Sequence, residues 1–155
     1  MRKKLYLANP YGFSKQTKKL LYEFINIFND LNVEVYEPFD RTKNLTEKKG
    51  EWAYEVAKNN FNDLQKCDCI FAIVNGTPPD EGVMIELGIA IALKKDIFLF
   101  RDDFRSCADS NQYPLNLMLF LGLPKVDWKK YYFESLQDIK SSKKGFLEWA
   151  NEYNK

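Results

Sequence analysis

The chain has 155 residues, of which 45% are hydrophobic, 15% aromatic and 29% charged, a composition typical of one globular domain with a sizeable core. Its net charge of +1 provides no general attraction to nucleic acid or to an anionic membrane. The absence of histidine excludes Ser–His–Asp and Cys–His nucleophile systems and every metal site with a histidine ligand. Nucleophilic or acid–base chemistry would therefore depend on carboxylates, Tyr, Lys or Cys.

The first half of the chain is predicted to form two strands and two helices. Residues 5–8 form a short strand that ends in an Asn-Pro-Tyr-Gly turn. Ser14 is expected to cap a helix whose apolar side chains repeat at helical spacing. A second strand at residues 33–36 is ended by Pro38, and a polar loop follows. The second helix carries apolar side chains at Trp52, Ala53, Val56, Ala57, Phe61 and Leu64.

The second half continues the alternation of strands and helices. Residues 69–74 are apolar without a period of two, which indicates a central parallel strand covered on both faces. A helix is predicted from about residue 82 to residue 95, and residues 97–100 form a fourth buried strand. Beyond a polar segment, we expect a short helix at residues 114–119, a fifth strand at residues 131–133 and a closing helix at residues 135–153.

This alternation predicts a doubly wound α/β fold over residues 1–155 as a single domain. The simplest arrangement is a flavodoxin-like, five-stranded parallel sheet in the order 2-1-3-4-5, with helices on both faces. Its binding crevice lies where strands 1 and 3 diverge, at their carboxyl ends. The loops there, residues 9–13 and 75–80, contain no Gly-rich phosphate-binding motif. The crevice therefore suits a neutral, flat ligand.

Glu86 is the strongest single indication of chemistry. It is the only ionisable side chain between residues 82 and 93, and apolar residues surround it at every helical phase. A helix that is apolar all round is typically buried, and a buried carboxylate must be paired or functional. The two interpretations are a carboxylate that is paired with arginine or backbone N–H groups, and a catalytic carboxylate.

Three other polar residues also allow two interpretations. Asp80 serves either as part of a helix cap, within a Thr-Pro-Pro-Asp sequence, or as a ligand contact. Tyr6 lies in a buried strand at the edge of the crevice, where packing in the core is the default. Asn60 lies on the apolar stripe of the second helix and is either a satisfied core amide or a ligand contact.

The cysteines and the amino terminus bear on the compartment. Cys67 and Cys69 are separated by one residue, so the spacing of a redox or zinc Cys-x-x-Cys motif is absent. We expect all three cysteines to be reduced in a cytoplasmic protein, with no signal peptide, no membrane span, no metal and no cofactor.

The segment Asn75-Gly-Thr-Pro-Pro-Asp-Glu-Gly-Val-Met-Ile-Glu86-Leu-Gly resembles the nucleoside 2-deoxyribosyltransferase family, whose signature is an acid, a Gly-rich turn and then Glu-Leu-Gly. Four other segments resemble the family in the same order: residues 5–13, 37–40, 100–105 and 114–118. The resemblance implies transfer of 2-deoxyribose between nucleobases through a covalent glycosyl-enzyme. The substrates would be purine and pyrimidine 2′-deoxynucleosides and free nucleobases.

The resemblance also implies roles for individual residues. Glu86 matches the nucleophile that attacks C1′, Tyr6 the hydroxyl that orients it, and Asp80 the acid that contacts the sugar or base. Asn116 matches an amide that a neighbouring subunit donates in the family's oligomers, which implies a homo-oligomer. The remaining residues of the implied substrate site are Asn60, Tyr11, Phe13, Phe39, Gly82 and Met84.

One departure from the family's pattern concerns the proton for the departing base. Many members carry an acid eight residues before the residue that corresponds to Asp68, and this chain has Asn60 there. Asparagine can hydrogen-bond but cannot supply a proton, so Asp80 and Asp63 are the candidate general acids. Two other functions remain as alternatives: an N-glycosidase with water as acceptor, and a non-enzymatic binding module.

Overall fold

The structure, a computed structural model, describes residues 2–46 and 52–152. Its centre is a parallel sheet of five strands in the order β2-β1-β3-β4-β5, which confirms the predicted flavodoxin-like topology. The strands are β1 (Lys4–Ala8), β2 (Glu34–Tyr36), β3 (Cys69–Ile73), β4 (Asp96–Phe100) and β5 (Tyr132–Phe133). Tyr6 of β1 lies between Tyr36 of β2 and Ile70 of β3 in the register.

Helices cover both faces of the sheet, so β3 is buried along its whole length. The helices are α1 (Thr17–Asp30), α2 (Pro38–Thr46), α3 (Trp52–Lys66), α4 (Glu81–Ala92), α5 (Leu136–Ile139) and α6 (Gly145–Asn151). On one face, α1 and α6 enclose a core rich in phenylalanine, including Phe24, Phe71 and Phe146. On the other face, α4 places Val83 and Leu87 against the sheet. No helix among the described residues is both long and apolar enough to cross a membrane.

Helix α2 corrects the prediction of a polar loop after Pro38. Proline fits the first turn of a helix because its missing N–H would be unpaired there. The carboxylate of Glu37 accepts the N–H of Asp40 at 2.7 Å and so satisfies a further free donor of that turn. The rest of the predicted loop, residues 47–51, lies outside the described residues.

Two other predicted elements also differ. Ser14 does not cap α1, which begins at Thr17; its hydroxyl instead accepts the N–H of Gln16 at 3.3 Å within the preceding turn. The predicted closing helix is divided into α5 and α6, because α5 ends at Ile139 and a turn, in which the carbonyl of Ser141 accepts the N–H of Lys144 at 3.1 Å, precedes α6. The last predicted position, residue 153, lies outside the described residues.

Candidate active site

A tyrosine of β1 and a glutamate of α4 form a hydrogen-bonded pair on the face of the sheet that α4 covers. The Tyr6 hydroxyl donates to Oε1 of Glu86 at 2.6 Å. Tyr6 is 1% exposed because β1 lies inside the sheet, whereas Glu86 is half-buried in the second turn of α4. Burial and the adjacent carboxylate raise the pKa of Tyr6, so the phenol remains protonated and acts as a donor. The other carboxylate oxygen of Glu86, Oε2, has no hydrogen-bond partner in the part of the chain that the structure describes.

The surroundings of Glu86 oppose its ionisation. Burial is the largest cause and raises the pKa of Glu86 to about 7. The hydrogen bond from Tyr6 acts in the opposite direction, and the charges of Asp80 and Glu37 add to the rise. Glu86 therefore changes its charge near neutral pH, where a carboxylate can serve as a nucleophile only after it loses its proton.

Asp80 holds the amino terminus of α4. Its Oδ1 accepts the N–H of Val83 at 3.1 Å, so Asp80 itself is the N-cap, and the helix starts at Glu81. A side chain added at Gly82 would place its Cβ 3.2 Å from the same oxygen, so glycine leaves room beside the carboxylate. Asp80 and Glu86 therefore lie at the start and in the second turn of the same helix, and within the described residues the second oxygen of Asp80 accepts no hydrogen bond.

Glu37 is a second buried carboxylate that sequence reasoning missed. It is 3% exposed at the end of β2, and it accepts the side-chain N–H of Asn9 at 3.1 Å as well as the N–H of Asp40. The signal in the sequence was an acid directly before proline, which is the pattern of a helix N-cap followed by Pro at the first helical position. Glu37 links the carboxyl ends of β1 and β2.

The three aromatic residues assigned to the base site occupy different environments. Phe13 is 79% exposed and packs edge-on against Phe39, with ring centroids 4.7 Å apart. The ring of Phe39 covers Gly12, where an added Cβ would lie 2.0 Å from the ring. Tyr11 is 8% exposed and its ring packs in the core against Phe24, so only its hydroxyl reaches the crevice loops. Phe13 and Phe39 therefore offer an open aromatic surface, and Tyr11 does not.

The two candidate residues on α3 differ in whether their side chains are already hydrogen-bonded within the protein. Asn60 is half-buried, and its amide has no hydrogen-bond partner among the described residues. Asp63, one turn later, is 7% exposed and receives two hydrogen bonds from the guanidinium of Arg41. Asn60 is thus free to bind a ligand, whereas both oxygens of Asp63 are occupied.

Met84 projects from the side of α4 opposite to Glu86, and Asn116 lies beside Met84 at the same cavity. Residues two apart on a helix project about 200° apart, so Met84 and Glu86 face opposite ways. Met84 and Asn116 help to line an apolar cavity of about 550 Å³, together with Thr77, Pro78, Pro79, Cys107, Leu115 and Leu119. The exposed Asn116 side chain accepts the N–H of Met118 and donates to Asp109 at 2.6 Å. Within one chain, the structure does not bring Asn116 to Glu86.

The outward face of α4 corrects the expectation of a helix buried on all sides. Ile85 is 64% exposed, and a side chain added at Gly88 would meet no atom within 4 Å. The helix packs on the sheet through Val83 and Leu87, and nothing in the described part of the chain covers its opposite side. No group of three or more Cys, Asp or Glu side chains within residues 2–46 and 52–152 is placed to hold a metal ion.

Residues 5–118 match the family model described as nucleoside 2-deoxyribosyltransferase. The chain belongs to the nucleoside 2-deoxyribosyltransferase family. Its members are enzymes of the glycosyltransferase type, and the match includes Tyr6, Asp80 and Glu86.

Solved structures agree with this family. The chain is 26% identical to a 2-deoxyribosyltransferase from Bacillus psychrosaccharolyticus, with a TM-score of 0.69 over 93% of this chain and 95% of that one. A 2-desoxiribosyltransferase from Leishmania mexicana is 23% identical, with a TM-score of 0.68 over 97% and 99% of the two chains. A CMP N-glycosidase from Clostridium botulinum is 22% identical, with a TM-score of 0.51 over 77% and 80%. No curated protein sequence matches the chain. The last two structures establish similarity of fold.

Proposed function

We propose that the chain exchanges the base of purine and pyrimidine 2′-deoxynucleosides for a free nucleobase through a deoxyribosyl intermediate on Glu86. The observation that carries this proposal is the Tyr6–Glu86 pair. One carboxylate oxygen of Glu86 accepts the Tyr6 hydroxyl at 2.6 Å, and the other has no hydrogen-bond partner within residues 2–46 and 52–152. A half-buried carboxylate with one oxygen hydrogen-bonded and the other unpaired is suited to attack a carbon with oxocarbenium character.

In the first half-reaction, Oε2 of Glu86 forms a bond to C1′ as the bond from C1′ to the base nitrogen breaks. The electron pair of that bond goes to the base, which takes a proton from Asp80 or from solvent. In the second half-reaction, the nitrogen of another base attacks C1′ as the bond from C1′ to Oε2 breaks and returns its electron pair to Glu86, and the base gives up its proton to Asp80 or to solvent. Tyr6 holds Oε1 throughout, and Asn60 hydrogen-bonds the base without supplying a proton.

The charges of the crevice loops favour a neutral nucleoside over a phosphorylated one. Arg105 binds the carboxylate of Asp103, and the same carboxylate accepts the N–H of Gly76 at 3.2 Å. Arg101 is 2% exposed and donates to backbone carbonyl groups. The guanidinium groups of Arg101 and Arg105 and the N–H group of Gly76 thus bind groups of the chain itself, which lowers their capacity to bind a phosphate.

We also propose that the active site is completed in a homo-oligomer, with Asn116 reaching the site of a neighbouring subunit. Ile85 on α4 and Met118 on the 3₁₀ turn Leu117–Phe120 are 64% and 62% exposed, although both are apolar. Leu117 and Leu121 beside them are also exposed. Exposed apolar side chains in contiguous segments are typical of a protein–protein contact.

The test is incubation of deoxyinosine with adenine, followed by chromatographic separation of the products. Deoxyadenosine supports the transferase, free hypoxanthine without deoxyadenosine supports the N-glycosidase, and unchanged deoxyinosine contradicts both. Glu86→Ala should abolish the reaction, whereas Glu81→Gln, on the exposed side of the same helix, should not change it. Mass spectrometry of the wild type with a donor nucleoside should detect a deoxyribosyl adduct on the peptide that contains Glu86.

A further inference from the structure

We propose that Asn75 is a positioning residue, whose hydrogen bonds connect the loops after β1, β3 and β4 and thereby fix the position of the turn that leads to Asp80. The inference rests on the proposed function, because its effect is exerted on the residues that perform the transfer. Asn75 lies two residues after the end of β3 and belongs to the segment that the family resemblance identified, yet none of the roles assigned above belongs to it.

The side-chain amide of Asn75 is fully used within the protein. Its Nδ2 donates to the hydroxyl of Tyr11 at 2.7 Å and to Oδ1 of Asp102 at 2.6 Å. Its Oδ1 accepts the backbone N–H of Asp102 at 3.1 Å and that of Asp103 at 3.3 Å. An amide has two donor hydrogens and two acceptor lone pairs. Asn75 therefore has no hydrogen-bonding capacity left for a substrate, and any effect on the reaction passes through other residues.

Other contacts between the same two loops reinforce this connection. The guanidinium of Arg101 donates to the carbonyl oxygens of Val74 at 2.5 Å and Gly76 at 2.9 Å. The carboxylate of Asp103 accepts the N–H of Gly76 from the other side. The backbone on both sides of Asn75 is thus tied to the loop after β4.

The turn at residues 76–79 connects these hydrogen bonds to Asp80 and to the helix of Glu86. Gly76 has a φ of +105°, which favours glycine, and it pairs with Pro79 as an isolated antiparallel bridge. Asp80 comes directly after that bridge and caps the helix that carries Glu86. A displacement of residues 75–76 is therefore transmitted to the Asp80 carboxylate. Misplacement of a reacting group by about 1 Å costs roughly 100-fold in rate.

The decisive variant is Asn75→Ala, measured by steady-state kinetics of base exchange. We expect kcat to fall by roughly 10- to 100-fold while KM changes by less than about threefold, because the substrate loses no contact. Tyr11→Phe removes one of the four hydrogen bonds and should lower kcat less. The double variant should be no slower than Asn75→Ala alone, because the Tyr11 hydroxyl acts through Asn75. Tyr11→Phe also provides the test if Asn75→Ala does not fold.

The matched control is Trp149→Phe, which removes a hydrogen bond of 2.8 Å to Asp96 at the opposite end of the sheet. It should lower the thermal unfolding midpoint and leave kcat unchanged. Hydrogen exchange provides a readout without activity, since the amides of Asp102 and Asp103 should exchange faster in Asn75→Ala.

If the wild type is active and the kcat of Asn75→Ala lies within about twofold of it, the inference is overturned and the proposed function still stands. A lowered kcat with unchanged exchange of residues 101–106 would also overturn it, as would additive losses in the double variant. A wild type that neither transfers nor hydrolyses would instead refute the proposed function, and the inference with it.

Discussion

The substitution Glu86→Gln should stabilise the protein, and the gain should depend on pH. Glutamine keeps the size of the side chain and an acceptor oxygen for the Tyr6 hydroxyl, but it removes a charge that is held in a poorly solvated position. Residues chosen for catalysis often reduce stability in this way. The pKa of Glu86 determines how large the gain is.

Burial raises the pKa of Glu86 from the ordinary value of 4.5 to about 7, and each pKa unit corresponds to about 1.4 kcal/mol. Ionised Glu86 therefore reduces the free energy of unfolding by about 3 kcal/mol. Between the two pKa values the native state binds the proton more tightly than the unfolded chain does, so the wild type loses stability as pH rises through this window. Glutamine does not titrate, so its advantage is largest above pH 7 and smallest below the lower pKa.

Urea unfolding of both proteins at about pH 5 and about pH 8, at equal protein concentration, measures the effect. We expect the advantage of Glu86→Gln to be larger at the higher pH by roughly 2.5 kcal/mol, because pH 5 lies only slightly above the unfolded pKa and pH 8 lies above the native one. The weaker hydrogen bond from Tyr6 to glutamine lowers the advantage equally at both pH values. Glu23→Gln, on the exposed side of α1, is the control and should show no such change. An advantage that is the same at both pH values, or larger at the lower one, would refute the reasoning.

Three further predictions concern the site. The kcat/KM for base exchange should rise with pH through about 7, because Glu86, as the proposed nucleophile, must be ionised. Glu37→Gln should move this rise to lower pH, because it removes a charge that raises the pKa of Glu86; a rise at unchanged pH would contradict this. Asp80→Asn should lower kcat by roughly 10²–10⁴, most for donors whose base needs a proton to leave, and Asn60→Ala by much less; the reverse order would remove Asp80 as proton donor. Ile85→Glu should reduce the mass found by light scattering, and a fully active wild-type monomer would refute the oligomer.

The central strands and their order were predictable because they depend on a pattern visible in the chain. The unbroken apolar run of β3 requires cover on both faces, and this fixes β3 at the centre of the sheet. Glu86 stood out in the sequence as a lone acid in an apolar helix, whereas the role of Tyr6 was indicated only by the family resemblance, since packing in the core is the default for a tyrosine in a buried strand. Their hydrogen bond joins residues 80 positions apart, so no local pattern in the chain indicates it, and only the family resemblance implied it.

The residues that were missed act through local backbone geometry. In the sequence, Glu37 is an ordinary acid at the end of a strand, and only the structure shows that its carboxylate accepts the N–H of Asp40. Asn75 looks like a turn residue, and its four hydrogen bonds depend on loops that meet only after the sheet has formed. Burial of an amide or a carboxylate in such a position leaves no periodic pattern in the sequence.

Helix α4 shows why a correct hydrophobic pattern still led to a wrong prediction of burial. Val83 and Leu87 satisfy the usual rule by packing on the sheet, but Ile85 and Gly88 are as apolar and remain uncovered. The sequence pattern shows that a helix face is apolar, but it does not show whether the same chain or another one covers that face. The glycine lets another backbone approach closely, which suits the proposed subunit contact. The same helix then carries Glu86 on one side and the proposed subunit contact on the adjacent side, so assembly of the proposed oligomer would fix the position of Glu86 as well as complete its site.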